Sequence, residues 1–322
     1  MALKRGGIYT AEQLVTTSFD EILSMTGLDK RKVQKAMGAA RKKLGWNVVE
    51  SGLEFEAQLY RKQRFALGLP LIDSHLGPPP MGGLELRGLE SGTLVELFGP
   101  QWGGKTILCA QVAVLSQVHQ QDDERIPKVV WFDADSTFRG NMIREIAFRF
   151  RLDPEKVVEQ VHVVRMTESL TMNEYFDVVL KLSTRERISL IIIDSLQQAK
   201  KMCSDGPTLP KLLGKLRQAR YVTKALSIVT NRSPMKLSEI SNEDASSTKS
   251  NLPLAKKNYQ FLLEPKKDDE LRIALVQVEG LPENEWTIIR GYGGLYQDRK
   301  SMNAQKRRVS RCIRRLRKNK VK

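Results

Sequence analysis

Residues 93 to 106 read TLVELFGPQWGGKT, and no other stretch constrains the fold as strongly. An apolar, β-forming run stops at Gly99, and the pattern G-x-x-x-x-G-K-T closes with Gly104, Lys105 and Thr106. Strand, glycine loop and helix in that order make a phosphate cradle. The glycines let backbone N–H groups turn inward, and the helix dipole adds positive potential. Gly99, Pro100, Gln101, Trp102, Gly103 and Gly104, with Lys105, Thr106 and Ile107 entering the helix, are therefore the candidate nucleotide site. Lys105 would reach the β and γ phosphates of ATP, and the Thr106 hydroxyl would bind Mg2+. Whether such a nucleotide is turned over or merely held is left open by the loop itself.

The surrounding pattern predicts the layered fold that such a loop needs. Strands are expected at Thr93–Phe98, Lys128–Asp133, Val161–Arg165, Leu190–Asp194 and Leu226–Thr230, with helices between them, among them Ile107–His119, Asn141–Phe150 and Leu209–Lys224. Strands spaced by helices pair in parallel through crossovers, which gives a doubly wound α/β sheet. After Tyr259 the pattern changes. QFLLEPKKDDELRIALV reads as a hairpin and EWTIIRG as a further strand, so the sheet is expected to end in an antiparallel edge.

Two acidic strand ends join the loop as chemistry. SLIIIDS places Asp194 at the carboxyl edge of the sheet, where ligands bind in open α/β folds, and where it would hold the Mg2+ shell beside Thr106, partly through water. VVWFDADSTFRG brings Asp133 and Asp135 off another strand, either able to orient an attacking water or simply to cap a loop.

Ahead of this core, residues 1–46 read as a small helical domain. Thr10 with Gln13 and Ser18 with Glu21 have capping-box spacing, and Gly27 can take the positive φ of a tight turn before a third helix. That helix carries Val33, Ala36, Met37, Ala40 and Leu44 on one face and basic residues on the other. Helix, glycine turn and basic helix form a helix-hairpin-helix pattern, in which Gly27, Lys30 and Arg31 would meet a nucleic-acid phosphate. A protein-contact module with a solvated basic face fits the same segment. Residues 47–84 read as a linker or arm, the connector character running on to about residue 92, and residues 85–300 as the ATP-binding core. Residues 301–322 form a basic tail.

Charge distribution favours a polyanionic partner. The chain of 322 residues carries +16, of which the tail supplies ten Lys or Arg and no acid, leaving +6 elsewhere. DNA is preferred over a membrane surface, with Lys306, Arg307, Arg308, Arg311, Arg314 and Arg315 as contacts. No apolar stretch approaches a membrane span. The start, MALKRGGIYTAEQ, lacks the apolar region of a signal peptide. An intracellular protein is expected, nuclear in a eukaryote and at the nucleoid in an archaeon. Cys109, Cys203 and Cys312 have no metal or disulfide spacing.

Taken in order, LSMTGLDKRKVQKAMGAARK, FGPQWGGKT, VVWFDADSTFRGNMIREIA, LIIIDSL, IVTNR and LPENEWTIIRGYGGLYQD resemble the strand-exchange proteins of the RecA superfamily. The resemblance is to the branch of archaeal RadA, the eukaryotic recombinases and their paralogs, and it covers about residues 8 to 298. It implies a RecA-like core, ATP and Mg2+ as cofactors, and single- and double-stranded DNA as partners. It also places Asp135 where the family has a water-activating Glu, and Arg232 where a Gln senses the γ-phosphate. The Ser-rich stretch after Arg232, with Lys236 and Lys249, matches the second DNA loop, and Cys203–Pro207 falls near the first.

The departures from the family pattern cluster at turnover and polymerisation. Asp135 is one methylene shorter than Glu, which sets its carboxylate back by about 1.5 Å, a scale to which general-base geometry is sensitive. Arg232 replaces a neutral amide with a fixed charge. Trp102 is bulky where the loop usually carries glycine, Met142 stands where an arginine packs on adenine, and Gln277 to Glu279 replace the ATP cap. The arm reads Glu54-Phe55-Glu56-Ala57, so Phe55 and Ala57 are out of the family's Phe-x-x-Ala spacing for hooking a recombinase or paralog subunit. An accessory paralog that binds ATP and DNA and hydrolyses slowly is the expected function. A full strand-exchange recombinase and a P-loop small-molecule kinase are the alternatives.

Overall fold

The computed structural model describes residues 2–17, 19–44, 51–53, 63–77, 87–118, 126–233, 258–277 and 281–308. Strands β3 (Leu94–Phe98), β4 (Lys128–Asp133), β5 (Val161–Arg165), β6 (Ile188–Asp194) and β7 (Leu226–Asn231) fall where their apolar runs predict them. With β8 (Asn258–Pro265), β9 (Glu270–Gln277), β10 (Asn284–Gly291) and β11 (Gly294–Tyr296) they form one nine-stranded sheet in the order β11-β10-β9-β8-β3-β7-β6-β4-β5. The pairs from β8 through β5 are parallel, and those from β8 through β11 antiparallel. The expected fold class is the observed one, including its antiparallel edge.

The strands are apolar on both faces because both faces are covered. Val129 and Trp131 turn to one side with Leu190 and Ile192, where they meet Leu108 and Val112 of the helix Lys105–Leu115 and Ile143 and Ile146 of the helix Gly140–Arg149. Val130 and Phe132 turn to the other with Ile191 and Ile193, against Tyr175, Phe176 and Val179 of Met172–Ser183 and Leu212 and Leu216 of Leu209–Thr223. The period-2 alternation of a strand thus fills two separate cores.

The N-terminal helices Ala2–Arg5, Ala11–Thr16, Phe19–Thr26 and Lys30–Lys43 enclose a small core of Ile8, Leu14, Val15, Ile22, Val33 and Ala40. The capping box forms: Thr10 Oγ1 accepts from Gln13 N at 3.2 Å, and Gln13 Oε1 accepts from Thr10 N at 3.0 Å. Gly27 takes φ +64, and Asp29 caps the next helix through Lys32 N at 2.9 Å. Ser18 lies outside the described residues. Lys215 reaches Glu21 at 2.6 Å and Gln218 reaches Thr17 at 2.7 Å, so the helices seat against Leu209–Thr223.

The connector expected through residue 92 is more ordered than its Pro and Gly content suggests. Arg64–Phe65 (β1) pairs antiparallel with Leu89–Glu90 (β2), and Pro70–Leu76 is a helix. Phe65, Leu67, Leu69, Ile72 and Leu76 enter the main core, and their burial outweighs the breakers between them. The buried Asp73 carboxylate ties this segment, accepting from Leu67 N at 2.6 Å and Leu69 N at 3.0 Å. Burial pushes Asp73 up to about 6 against those two amides.

Because its folded value lies above the unfolded one, Asp73 favours the folded state most below about pH 4, and that contribution is lost as pH rises through 6. Between pH 4 and 7 the wild type should lose about 2 kcal/mol more than Asp73→Asn in urea melts. Parallel pH profiles for the two proteins would refute it.

Candidate nucleotide-binding site

The buried run of β3 ends at Phe98, and the chain then crosses directly over the backbone of β8, with Phe98 paired to Leu262. A Cβ on Gly99 would fall inside the radius of Leu263 O, and one on Gly103 would sit 2.6 Å from it. Gly99 (φ +136) and Gly104 (φ +89) also hold dihedrals that side chains disfavour. The loop is therefore fixed by close approach of two backbones, and the helix Lys105–Leu115 starts from it with its N–H groups facing the loop. Trp102 shares the left-handed geometry, φ +67, at a cost of about 1–2 kcal/mol for a residue with a Cβ. Trp102 is 77% exposed, and its carbonyl accepts from Arg290 Nη1 at 3.2 Å.

Lys105 folds back over the loop, its ammonium donating to Gly99 O at 2.8 Å and Pro100 O at 2.7 Å. Burial holds its pKa below the usual lysine range. Arg232 pushes the same way, while Asp194, Cys109 and Asp135 oppose. A half-buried cation that hydrogen-bonds only to neutral carbonyls is poised to exchange them for an anion.

Asp194 ends β6 at the neighbouring strand terminus. Its Oδ2 accepts from Thr106 Oγ1 at 2.9 Å and Thr137 Oγ1 at 3.2 Å, and its Oδ1 from Thr230 Oγ1 at 2.5 Å. Burial raises the Asp194 carboxyl, with the three hydroxyls pulling it down and Asp135 adding to the rise. A hydroxyl paired to a strand-end carboxylate beside a lysine is the donor set that suits a hard, oxygen-loving cation bridged to phosphate. The glycine cradle, Lys105 and this pair fit Mg2+ and a nucleotide triphosphate. Thr137 and Thr230 were not foreseen as members of the site. Their signal was slight, a threonine at the strand end in IVTN and another in DADST.

The two carboxylates after β4 separate cleanly. Asp133 is buried and accepts from Thr137 N at 2.8 Å and Phe138 N at 3.3 Å, so it caps the loop. Asp135 is exposed at the mouth, its backbone N donating to Asp194 O at 3.3 Å. Arg232 is exposed just past β7. Behind it, buried Glu96 of β3 accepts from Asn231 Nδ2 at 2.6 Å and Gln260 Nε2 at 2.8 Å, which locks the strand ends that flank the Ser-rich stretch. Met142 is half-buried against the main core. Cys109 lies wholly buried with its thiol pushed well up, and is inert.

Several expected contacts stand elsewhere. Gly27, Lys30 and Arg31 lie together and exposed at the N-terminal turn. Residues 203–207 are pinned rather than open: Cys203 is buried, Ser204 N donates to Leu170 O at 2.9 Å, and Asp205 accepts from Met172 N at 3.0 Å. A helix over 299–308 anchors the start of the tail. Lys306 and Arg307 are exposed on it, but Arg308 points inward, donating to Arg149 O at 3.3 Å and Phe148 O at 3.4 Å. Phe55, Ala57, Lys236, Lys249, Arg311, Arg314 and Arg315 lie outside the described residues.

Residues 77–205 match the family model described as Rad51. Over 194 residues, 60% of the chain, the sequence is 26% identical to the DNA repair and recombination protein RadA of Aeropyrum pernix, covering 58% of that protein. It is 26% identical over the same length to the DNA repair protein RAD51 of Saccharomyces cerevisiae, covering 46% of it. Over these residues the chain is a relative of the RecA-superfamily recombinases. The match spans less than two thirds of either relative. The family-model match takes in the glycine loop, both strand-end carboxylates and the pinned 203–205 segment. Among the described residues, no helix is long and apolar enough to cross a membrane.

Proposed function

We propose that this chain is an ATP- and DNA-binding accessory paralog of homologous recombination and DNA repair, with slow DNA-dependent ATP hydrolysis. The observation that carries the nucleotide part is Lys105 lying over the loop carbonyls beside the Thr106–Asp194 pair. Lys105 would exchange Gly99 O and Pro100 O for a phosphate oxygen. The backbone N–H groups of residues 103 to 106 would donate to the phosphates, Thr106 would turn its hydroxyl to Mg2+, and Asp194 would hold the water shell of that ion. Mg2+, when bound, supplies the charge that offsets the β and γ phosphates.

Asp135 is the group that would take a proton from an attacking water. Its exposure and short side chain support weak general-base action. Arg232 supplies a fixed positive charge to the γ-phosphate. The pinned 203–207 segment supports a chain that does not drive strand exchange alone. DNA, single- and double-stranded, is the proposed partner through Gly27, Lys30, Arg31, Lys306 and Arg307, together with a recombinase or paralog subunit reached by the 47–84 arm. The proposed place of action is the nucleus, or the nucleoid in an archaeon.

The test is ATP binding and hydrolysis with and without single-stranded DNA, using Lys105→Ala as control. Tight ATP binding, slow turnover, a few-fold rise with DNA and loss of both in Lys105→Ala are expected. Strong stimulation with filament formation would instead make it a full recombinase, and a phosphorylated small molecule a kinase. Unchanged ATP binding in Lys105→Ala would sink the site assignment.

A further inference from the structure

Trp102 is the residue of the loop that the phosphate cradle does not explain. The cradle works through backbone N–H groups, and a glycine at this position would supply its N–H without strain. The chain instead places its bulkiest side chain at φ +67, where a Cβ is penalised. The loop has no freedom to relieve that strain. Gly99 and Gly103 press on Leu263 O, and Arg290 of β10 donates to the Trp102 carbonyl. Trp102 is left 77% exposed, three residues before Lys105.

A triphosphate seated on the amides of residues 103 to 106 has the β8 backbone beneath it and the ends of β6 and β7 beside it. A nucleoside carried on that triphosphate would extend past the rim of the loop. Among the described residues the aromatic side chains standing open to solvent are Trp102 and Tyr292. Tyr292 belongs to the turn after β10, near Glu145, whereas Trp102 is part of the loop itself. Met142 offers no aromatic face and is half-buried in the core.

We propose that the Trp102 indole is the stacking platform for the base of the bound nucleotide, locked in place through its backbone by Arg290. The platform rests on the nucleotide function proposed above. It makes the exposed indole part of the binding energy, because stacking on a tryptophan face is favourable for any base.

The test separates base from phosphates. ATP and inorganic tripolyphosphate, each with Mg2+, are titrated calorimetrically into the full chain, into Trp102→Gly and into Trp102→Phe. Trp102→Gly relieves the backbone strain, so folding is retained. ATP affinity should fall by roughly 10- to 100-fold in Trp102→Gly, as loss of one stacked aromatic implies, with tripolyphosphate affinity unchanged. Trp102→Phe should recover most of the loss, and ATP but not tripolyphosphate should quench the wild-type indole fluorescence. Undiminished ATP affinity in Trp102→Gly would overturn the platform, and would leave the indole to a protein surface. Equal weakening of both ligands would overturn it too, by making the residue a shaper of the loop. If the wild type bound neither ligand, the nucleotide function would fail first and the platform with it.

Discussion

Gly99→Ala is expected to lower the melting temperature by on the order of 6–10 °C and to abolish nucleotide binding, whereas Gly92→Ala should lower it by no more than about 4 °C. Both glycines have positive φ, +136 and +74, so both variants incur a conformational cost of about 1–2 kcal/mol. They differ in what the new methyl meets. Around Gly92 nothing lies within 4 Å, but at Gly99 the methyl would collide with Leu263 O, and behind that carbonyl stands the β8–β9 pairing. Neither backbone can yield without parting β3 from β8, so the collision adds at least as much again. The loop would move away from β8, and its N–H groups would no longer converge. Thermal melts with ATP titrations on the two variants check this. Equal destabilisation would show that the close approach of loop and strand is not what requires glycine.

The parallel core was legible because each strand is a short buried run whose ends are marked by charge or glycine. Lys128–Asp133 and Val161–Arg165 fall where those runs lie. The segment from Arg64 to Leu76 was not legible. Its apolar residues Leu67, Leu69, Ile72 and Leu76 are interleaved with Gly68 and Pro70, which break the local period, and only the distant core wall makes the spacing coherent. The site shows the same division. The glycine loop and Asp194 could be read because the chemistry is carried by adjacent residues or a strand end. That Asp133 caps a loop while Asp135 faces the mouth could not, since both follow the same strand and only burial tells them apart. The hold of Arg290 on Trp102 O joins residues 188 apart, and the inward turn of Arg308 onto Arg149 O joins residues 159 apart. A charge in the sequence does not say whether it meets solvent or a helix C-terminus.

Asp194→Asn is expected to stabilise the apo protein while removing most of its metal-dependent nucleotide affinity. The carboxylate sits in the interior with its pKa raised by burial, so the folded state resists its charge. An amide of the same shape carries no charge. Its oxygen can accept from two of the threonine hydroxyls, and the third hydroxyl can rotate to accept from the amide nitrogen, since a threonine oxygen serves both roles. The amide's second N–H and the displaced Thr230 hydroxyl proton lose these partners, which offsets part of the gain, and a melting temperature higher by no more than roughly 2–4 °C follows for at most ~1 kcal/mol. With Mg2+ and ATP the sign reverses. A neutral amide no longer balances the ion held by Thr106, and the Mg2+-dependent tightening of ATP should fall by about 100-fold, some 3 kcal/mol, in the range found when one member of a charge pair is removed. Binding of ATP in EDTA should be nearly unchanged, because Lys105 and the loop amides are untouched. A variant that lost stability without ligand would show Asp194 to be a structural acceptor for the threonines. One that kept its Mg2+ dependence would remove Asp194 from the metal shell.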